Sequence, residues 1–391
     1  MKILFLTSRL PYPPNRGDRV RTFNFVRQMS HEHEVSVLSF IADPSENAFV
    51  EPLQQYCARV QTVLLRPHQS CFNAGRGLFS SKPLQVHYYH SRTFAGKVQR
   101  EIELFRPDML YVHLFRMAPY GMDMPVPYRV LDMTDVISRE IELSLPYRNS
   151  IQKRVYALEY ERIRRYETEI INHFDESWLI SPQDLAQLNG RRNGAKVTVV
   201  PNGVNTELFR PLSQPREPRT LIFVGHMGVP HNHDAADRLI RQVVPRVEAA
   251  CGPVQVRLVG QDSDRNGFRN SLDGRVQCTG FVEDLNGELN RSAVFAAPLR
   301  FAAGTQNKIL EAMAAGTPVV TTSLGNQGIG ASPDSDLLVG DTDEQFANHV
   351  VRALQDQPTA DSMGLRGRQF VETRFPWSAV QHRLQDIANS I

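Results

Sequence analysis

Short apolar runs alternate along the chain with longer stretches of helical spacing, and that alternation limits the fold more than anything else in the sequence. The first run is Lys2–Ser8 (KILFLTS), ended by the loop Pro11–Asp18 (PYPPNRGD). A helix-like stretch follows, with Asp18 placed as its N-cap and Val20, Phe23, Val26 and Arg27 at helical spacing. Val35–Phe40 (VSVLSF) is the second run. Strand, helix, strand within about forty residues is a βαβ unit, so the sheet is parallel and buried on both faces.

The same texture continues. Strands are expected at Met109–Val112, Tyr128–Asp132, Glu176–Ser181 and Lys196–Val200, with a long charged helix from about Ser150 to His173. Residues 211–219 (PLSQPREPR) then carry three prolines and no apolar periodicity, which marks a linker. A second set of strands begins: Thr220–Val224, Val254–Val259, Arg275–Thr279, Val294–Ala297 and Pro318–Thr322, with a helix over Lys308–Ala315. Trp377–Ile391 reads as a closing helix. The expected fold is α/β, with two doubly wound Rossmann-like domains. The first spans 1–205, the linker 206–219 and the second 220–376; the 377–391 helix packs back on the first. In such sheets ligands bind outside the carboxyl ends of the strands, so the expected site is a cleft between the domains.

Length and composition agree with this and exclude several classes. At roughly 150 residues per domain, 391 residues make two to three. An apolar fraction of 41% with 22% charged is an ordinary globular balance. Forty-four basic against 42 acidic residues leave +2, with none of the concentrated basic excess of a nucleic-acid binder. The N-terminus lacks a long apolar core and a small-residue cleavage site, so no signal peptide is expected. No window approaches the roughly 20 apolar residues of a membrane span. Cys57, Cys71, Cys251 and Cys278 lie far apart with no CxxC pair, which argues against zinc and against a disulfide framework. The expected location is the cytoplasm, with peripheral attachment to a membrane left open.

The most informative segment is Gly304–Thr322 (GTQNKILEAMAAGTPVVTT). A Gly-Thr pair opens a helix whose N-terminus offers free N–H groups and a partial positive charge, suited to a phosphate. Lys308 adds a point charge, and it is one of only six lysines in the chain. Glu311 lies one turn on, where a carboxylate can accept both hydroxyls of a ribose. The plain alternative is an ordinary helix with a surface Lys–Glu pair at i, i+3.

Other features carry two readings each. His226, His231, His233 and Asp234 have metal-ligand chemistry, but a polar loop after a strand explains them as well, and no metal is expected. His113 ends an apolar strand beside Tyr111, where a satisfied core histidine is the commoner outcome. Ser323–Gly330 (SLGNQGIG) has glycines in a GxxGxG spacing with no helix pattern following, which is a poor dinucleotide fingerprint. The charged helix holds Arg148, Lys153, Arg154, Arg162, Arg164 and Arg165 interleaved with Glu159, Glu161, Glu167 and Glu169. It reads as a solvated helix laced with i, i+4 pairs, or as a contact with acidic lipid headgroups. Residues 71–94 set Phe72, Leu78, Phe79, Tyr88, Tyr89 and Phe94 among basic residues. That stretch either docks a lipid-linked acceptor or packs on the first domain.

Lys308–Val320 resembles the most recognisable motif of family 4 glycosyltransferases, retaining enzymes of the two-domain GT-B fold. Val199–Pro211 (VVPNGVNTELFRP), Phe223–Ala235 (FVGHMGVPHNHDA), Arg257–Gly260 (RLVG), Gly280–Leu285 (GFVEDL) and Arg106–His113 (RPDMLYVH) match further family segments in order. The resemblance spans nearly the whole chain. Its N-terminal third is most similar to transferases of bacterial exopolysaccharide clusters, including the exosortase-associated type.

The resemblance implies roles for particular residues. Glu311 would hold the nucleotide ribose, while Gly304 and Thr305, with Gln306, Asn307 and Ile309 behind them, would meet the diphosphate or donor sugar. Gly225, His226 and Arg300 would lie on the donor side, and the loop with Phe281 and Val282 would frame the base. His113 would face the donor sugar, and Gly17, with its loop, would close over the diphosphate. Lys308 would help stabilise the departing charge. Arg16, Arg19, Arg21 and Asp135 are candidates for the loop or the acceptor. Two departures stand out: Ala303 replaces a usual acidic residue, and His226 and Asn232 replace a pyrophosphate-clamping Arg and Lys. Lys308, with Arg300, would then compensate. The implied activity is sugar transfer from a nucleotide-sugar donor to a glycan or lipid-linked acceptor, with no cofactor and no essential metal. A silent GT-B subunit and a nucleotide-sugar epimerase remain the competing readings.

Overall fold

The structure, a computed structural model, describes residues 1–14, 17–188, 194–264 and 267–388. It divides into two compact units, Met1–Asn202 with Trp377–Ile391, and Gly203–Pro376.

The first unit is a seven-stranded parallel sheet in the order β3-β2-β1-β4-β5-β6-β7. Its strands are β1 (Lys2–Thr7), β2 (Glu34–Ile41), β3 (Arg59–Leu64), β4 (Met109–His113), β5 (Tyr128–Thr134), β6 (Glu176–Leu179) and β7 (Val197–Val199). The central strands have no apolar alternation because both faces are covered. Ile3, Leu4, Phe5 and Leu6 are all fully buried, half against one helical layer and half against the other. Edge strand β3 (RVQTVL) is mostly half-exposed, and its polar residues hid it from the sequence reading. The first helix runs over Gly17–Met29, so Asp18 sits inside its first turn rather than at the N-cap; its carboxylate pairs with Arg9.

The second unit is a six-stranded parallel sheet in the order β10-β9-β8-β11-β12-β13. Its strands are β8 (Glu217–Val224), β9 (Gln255–Val259), β10 (Val276–Gly280), β11 (Ser292–Ala297), β12 (Val319–Thr321) and β13 (Leu338–Val339). The expected linker is fastened to this unit. Arg210 and Leu212 donate their N–H groups to Asn286 and Asn290 side chains at 3.0 and 2.8 Å. Arg216 donates to Asp361 and to the Gly316 carbonyl, each at 2.8 Å. Prolines removed the apolar pattern there, but side-chain bonds hold the segment without one.

The final helix, Ser378–Ala388, groups with the first unit. Trp377 packs edge-on to Phe25 at 6.2 Å, and Arg383 pairs with the fully buried Glu176. Lys196 and the Tyr128 hydroxyl reach the same carboxylate, and despite its burial these donors hold Glu176 down to about 2.

In each sheet the strand order reverses once, between β1 and β4 and between β8 and β11. Crossovers diverge at that point and open a crevice at the carboxyl ends. Ser8 and His113 stand there in the first unit, Gly225 and the Pro298–Arg300 segment in the second. Among the described residues no helix is long and apolar enough to cross a membrane.

Candidate active site

In the second unit the motif folds as its chemistry requires. The Asn307–Ala314 helix begins with Gln306 in an extended conformation, and no side chain caps it. The Ile309 N–H donates to the Gln306 carbonyl at 2.9 Å, so the first turn is closed by backbone alone. Gln306 Nε2 donates to the Ala303 carbonyl at 2.8 Å, and Thr305 Oγ1 to the Gly328 carbonyl at 2.9 Å, so both fix the turn. Gly304 holds φ +61°, and a Cβ on Gly328 would lie 2.6 Å from its carbonyl oxygen. Small residues let these two backbones touch. Ile309 is fully buried and anchors the helix on the sheet.

Glu311 is half-buried one turn along. Among the described residues no hydrogen bond reaches its carboxylate. Burial pushes it up to about 7, against the opposing pull of Lys308. Lys308 Nζ donates to Asn232 Oδ1 and to Gln306 Oε1 at 3.2 Å, and stands 5.6 Å over the Phe223 ring. Asn232 in turn donates to the His226 carbonyl at 3.1 Å. One of the two residues that replace the expected cations thus holds the lysine offered as their substitute.

Arg300 is different. Nε and Nη2 both bond Asp234, so its charge is answered by a carboxylate in a two-pronged pair. Three of the four residues with metal-ligand chemistry part company in the fold. His226 Nε2 bonds Asp262 at 2.8 Å, Asp234 takes Arg300, and His233 packs against Phe268. Among the described residues no three such groups converge. Gly225 lies under the Asn232 side chain and beside Gly260. Phe281 is exposed, at 60%, while Val282 packs against the core. Ser323–Gln327 forms a short helix where no helix pattern was seen, because Thr322 caps it through the Gly325 N–H.

In the first unit a buried network sits under the strand ends. Asp132 accepts from Arg21 Nε at 2.6 Å, from the Tyr111 hydroxyl and from Thr134 N at 2.9 Å. Arg21 also donates to the Val200 carbonyl and to Asn202 Oδ1, at 2.9 and 2.8 Å. It lies neither in solvent nor facing a ligand: its side chain is fully buried. Thr134 carries φ +65°, a strained conformation for a β-branched residue. Its hydroxyl shares a 3.3 Å bond with His113 Nε2. Burial pushes His113 down to about 4, over the opposing pull of Asp132 and Asp18 and aided by the Arg21 and Arg116 charges. Its ring is therefore a neutral imidazole at physiological pH.

Arg19 pairs with Glu46 at 2.6 Å, and Gly17 opens the first helix. Arg16 lies outside the described residues. Asp135 is half-buried, and burial beside Asp184 and Glu140 raises its carboxyl well above the ordinary range.

Comparison with known proteins shows what this chain is similar to. The model of glycosyl transferases group 1 matches residues 218–356, which hold the whole Gly304–Thr322 motif. The chain is a glycosyltransferase with a group 1 domain. It is 28% identical over 166 residues to a GDP-mannose-dependent monoacylated alpha-(1-6)-phosphatidylinositol monomannoside mannosyltransferase of Corynebacterium glutamicum, covering 39% of this chain and 43% of that one. It is also 21% identical over 398 residues to an uncharacterised 44.6 kDa protein in the cps region of Klebsiella pneumoniae, covering 96% of each. Among solved structures it resembles Anabaena HepE in complex with UDP-glucose, at TM-score 0.70 and 16% identity over all of both chains. Its two Rossmann-like units are those of the GT-B fold.

The glycosyltransferase thus gathers Gly225, His226, Asn232, Gly304–Ile309 and Glu311 at one edge of its second sheet. It withdraws Arg300 into an ion pair and Arg21 into the first core. Sequence reasoning missed the partners that decide these outcomes. Asp262 is 36 positions from His226, and Asp132 is 111 positions from Arg21. No local pattern links residues so far apart.

Proposed function

We propose that the glycosyltransferase is a retaining enzyme that moves a sugar from a nucleotide-sugar to a glycan or lipid-linked acceptor in bacterial polysaccharide or glycoconjugate synthesis. One observation carries the donor side of this reading. Glu311, without a hydrogen-bond partner among the described residues, lies on the same helix as Lys308 and one turn from an N-terminus that no side chain caps. A carboxylate with free lone pairs accepts from two ribose hydroxyls. The helix N–H groups and the Lys308 ammonium then meet the diphosphate. HepE, a structural neighbour, is solved with UDP and with UDP-glucose, which supports a nucleotide-sugar as donor. The relative in a cps region supports the polysaccharide setting.

Charge develops on the departing diphosphate. The main catalytic effect is therefore electrostatic stabilisation by groups already in place, worth about 2.7–4 kcal/mol per donor in comparable sites. In this reading that charge is met by protein groups rather than by a metal. The sugar passes through an oxocarbenium-like state and the acceptor attacks on the face the leaving group vacates, so no enzymic nucleophile is assigned. His113, expected to face the sugar, is instead buried with Nε2 against Thr134, so it supports the strand end and adds no charge there.

Calorimetric titration with UDP, GDP, ADP and dTDP tests the reading. Micromolar binding of one nucleotide, lost in Glu311→Ala, is expected. Absence of binding by all four would favour a silent relative of the same fold.

A further inference from the structure

The first unit contains a pocket of about 460 Å³ lined by Arg76, Lys82, His87, His90, Arg92 and Arg116, with no carboxylate among its lining residues. Four guanidinium or ammonium groups around one cavity repel one another, and the carboxylate that acts on His87 beside them, Glu159, lies outside the lining. Arg76, Lys82 and Arg92 form no ion pair among the described residues. Natural surfaces intersperse charges of both signs, and this chain as a whole carries only +2. The local excess therefore has a use.

The pocket is built rather than incidental. The Pro67–Gly77 helix supplies Arg76, and the short Leu84–Tyr88 helix supplies His87. Gly77 lets the two meet: a Cβ there would lie 2.5 Å from the His87 ring. His87 Nε2 is buried without a hydrogen-bond partner among the described residues. The Arg116 guanidinium stands 5.1 Å over the Tyr89 ring and donates to Gln85 Oε1 at 3.1 Å. It also donates to Ser8 Oγ at 3.3 Å, and Ser8 directly follows β1 at the switch point. The same Arg116 charge acts on His113, so the pocket adjoins the sheet edge where His113 lies.

We propose that this pocket holds the phosphate or diphosphate group of the acceptor. The inference rests on the transferase reading above and gives its acceptor a chemical class. Compact di- or trianions match several converging cations better than a neutral glycan does. The flank indicates what that phosphate carries. Phe72, Leu78 and Phe79 are exposed at 65%, 54% and 97% on the helix that supplies Arg76 and just after it. Bare aromatic and aliphatic side chains beside a cationic pocket match a prenyl or acyl chain attached to a phosphate.

The test measures binding by the full-length protein without any donor, so it reads the pocket independently of transfer. The probes are inorganic pyrophosphate, geranyl diphosphate and geraniol. Pyrophosphate is expected to bind at low salt and to weaken at least tenfold in the double variant R76Q/K82Q. In R246Q, which removes an exposed cation of the other unit that lies outside the donor motif, its affinity should be unchanged, and thermal melts confirm that the variants fold. Unchanged pyrophosphate affinity in R76Q/K82Q overturns the proposal, as does geraniol binding as tightly as geranyl diphosphate. Tighter binding of geranyl diphosphate than of pyrophosphate assigns the pocket to a lipid-linked phosphate. Equal binding of the two assigns it to a soluble phosphorylated acceptor. If the pocket binds and no donor nucleotide does, the transferase reading fails while the anion site stands.

Discussion

The Lys308 ammonium donates a hydrogen bond to the Asn232 side-chain oxygen. The two residues are 76 positions apart, and the bond holds the lysine at the carboxyl edge of the second sheet beside an uncapped helix N-terminus. Asn232 replaces a cation in sequence and positions one in space. Lys308→Ala should therefore weaken nucleotide diphosphate binding about 10–100-fold, the worth of one or two charge-assisted hydrogen bonds. Arg300→Gln should change it by less than about threefold, because Asp234 already answers the Arg300 charge. Calorimetry on both variants checks the contrast, and equal losses would count against it.

Glu311 titrates at about 7 in the free protein because it is buried. Ribose hydroxyls donate to the carboxylate and not equally to the acid. Nucleotide affinity should therefore fall as pH drops below about 7, by up to tenfold per unit, and Glu311→Gln should bind weakly with no such slope. Stability moves the other way. The folded pKa lies above the unfolded value, so the folded state holds the proton more tightly. Stability is fully present below about pH 4.5 and is lost as pH rises through 7. Glu311→Gln should then be more stable than the parent at pH 8, by about 1–2 kcal/mol after allowing for partial exposure, and equal to it near pH 4.

His113 shows the opposite sign of depression. Burial holds it neutral down to about pH 4, against an ordinary value of 6.5. A depressed histidine contributes stability that is present above its unfolded pKa and lost as pH falls from 6.5 towards 4. His113→Gln should flatten the acid limb of a denaturant-derived stability profile over that window. An unchanged profile would mean that the ring is hydrated in solution.

Arg21 and Asp132 form a pair with both side chains fully buried. Removing one partner leaves the other as an uncompensated charge in the core. Arg21→Met should cost about 3–5 kcal/mol, read as a lower denaturation midpoint of the first unit. The double change Arg21→Met with Asp132→Asn should recover part of that loss. No recovery would show that packing over the Phe25 ring, 4.5 Å from the guanidinium, dominates instead.

Gly260 has φ +129°, and a Cβ there would lie 2.1 Å from the Gly225 carbonyl oxygen. Both backbones leave the sheet at that point, and only hydrogen fits between them. Gly260→Ala should destabilise the second unit by about 2 kcal/mol or more and displace the donor loop, so nucleotide binding falls with it.

The sequence by itself determined the two-sheet architecture and the local fold of the Gly304–Thr322 segment, because both are written in near neighbours. Apolar runs such as KILFLT and SAVFAA mark strands buried on both faces, and GTQNKILEA carries its helix start, its lysine and its carboxylate within eight positions. Edge strand β3 and two-residue β13 escaped, since neither is buried on both faces over a useful length. The charged helix shows the same limit: its pairs form at i, i+3, as Arg162 with Glu159 at 3.1 Å, and Glu167 turns inward to Ser138. Only the tertiary structure decided what each charge does. Arg21, Arg300 and Lys308 are alike in sequence, yet one is a buried strut, one is neutralised and one is held by Asn232 at the carboxyl edge of the second sheet. Electrostatics depends on distance in space, and the deciding partners Asp132, Asp234 and Asn232 lie 66 to 111 positions away along the chain. The same reason hid the cationic pocket, whose six basic residues are spread from 76 to 116 and converge only when the Pro67–Gly77 and Leu84–Tyr88 helices pack.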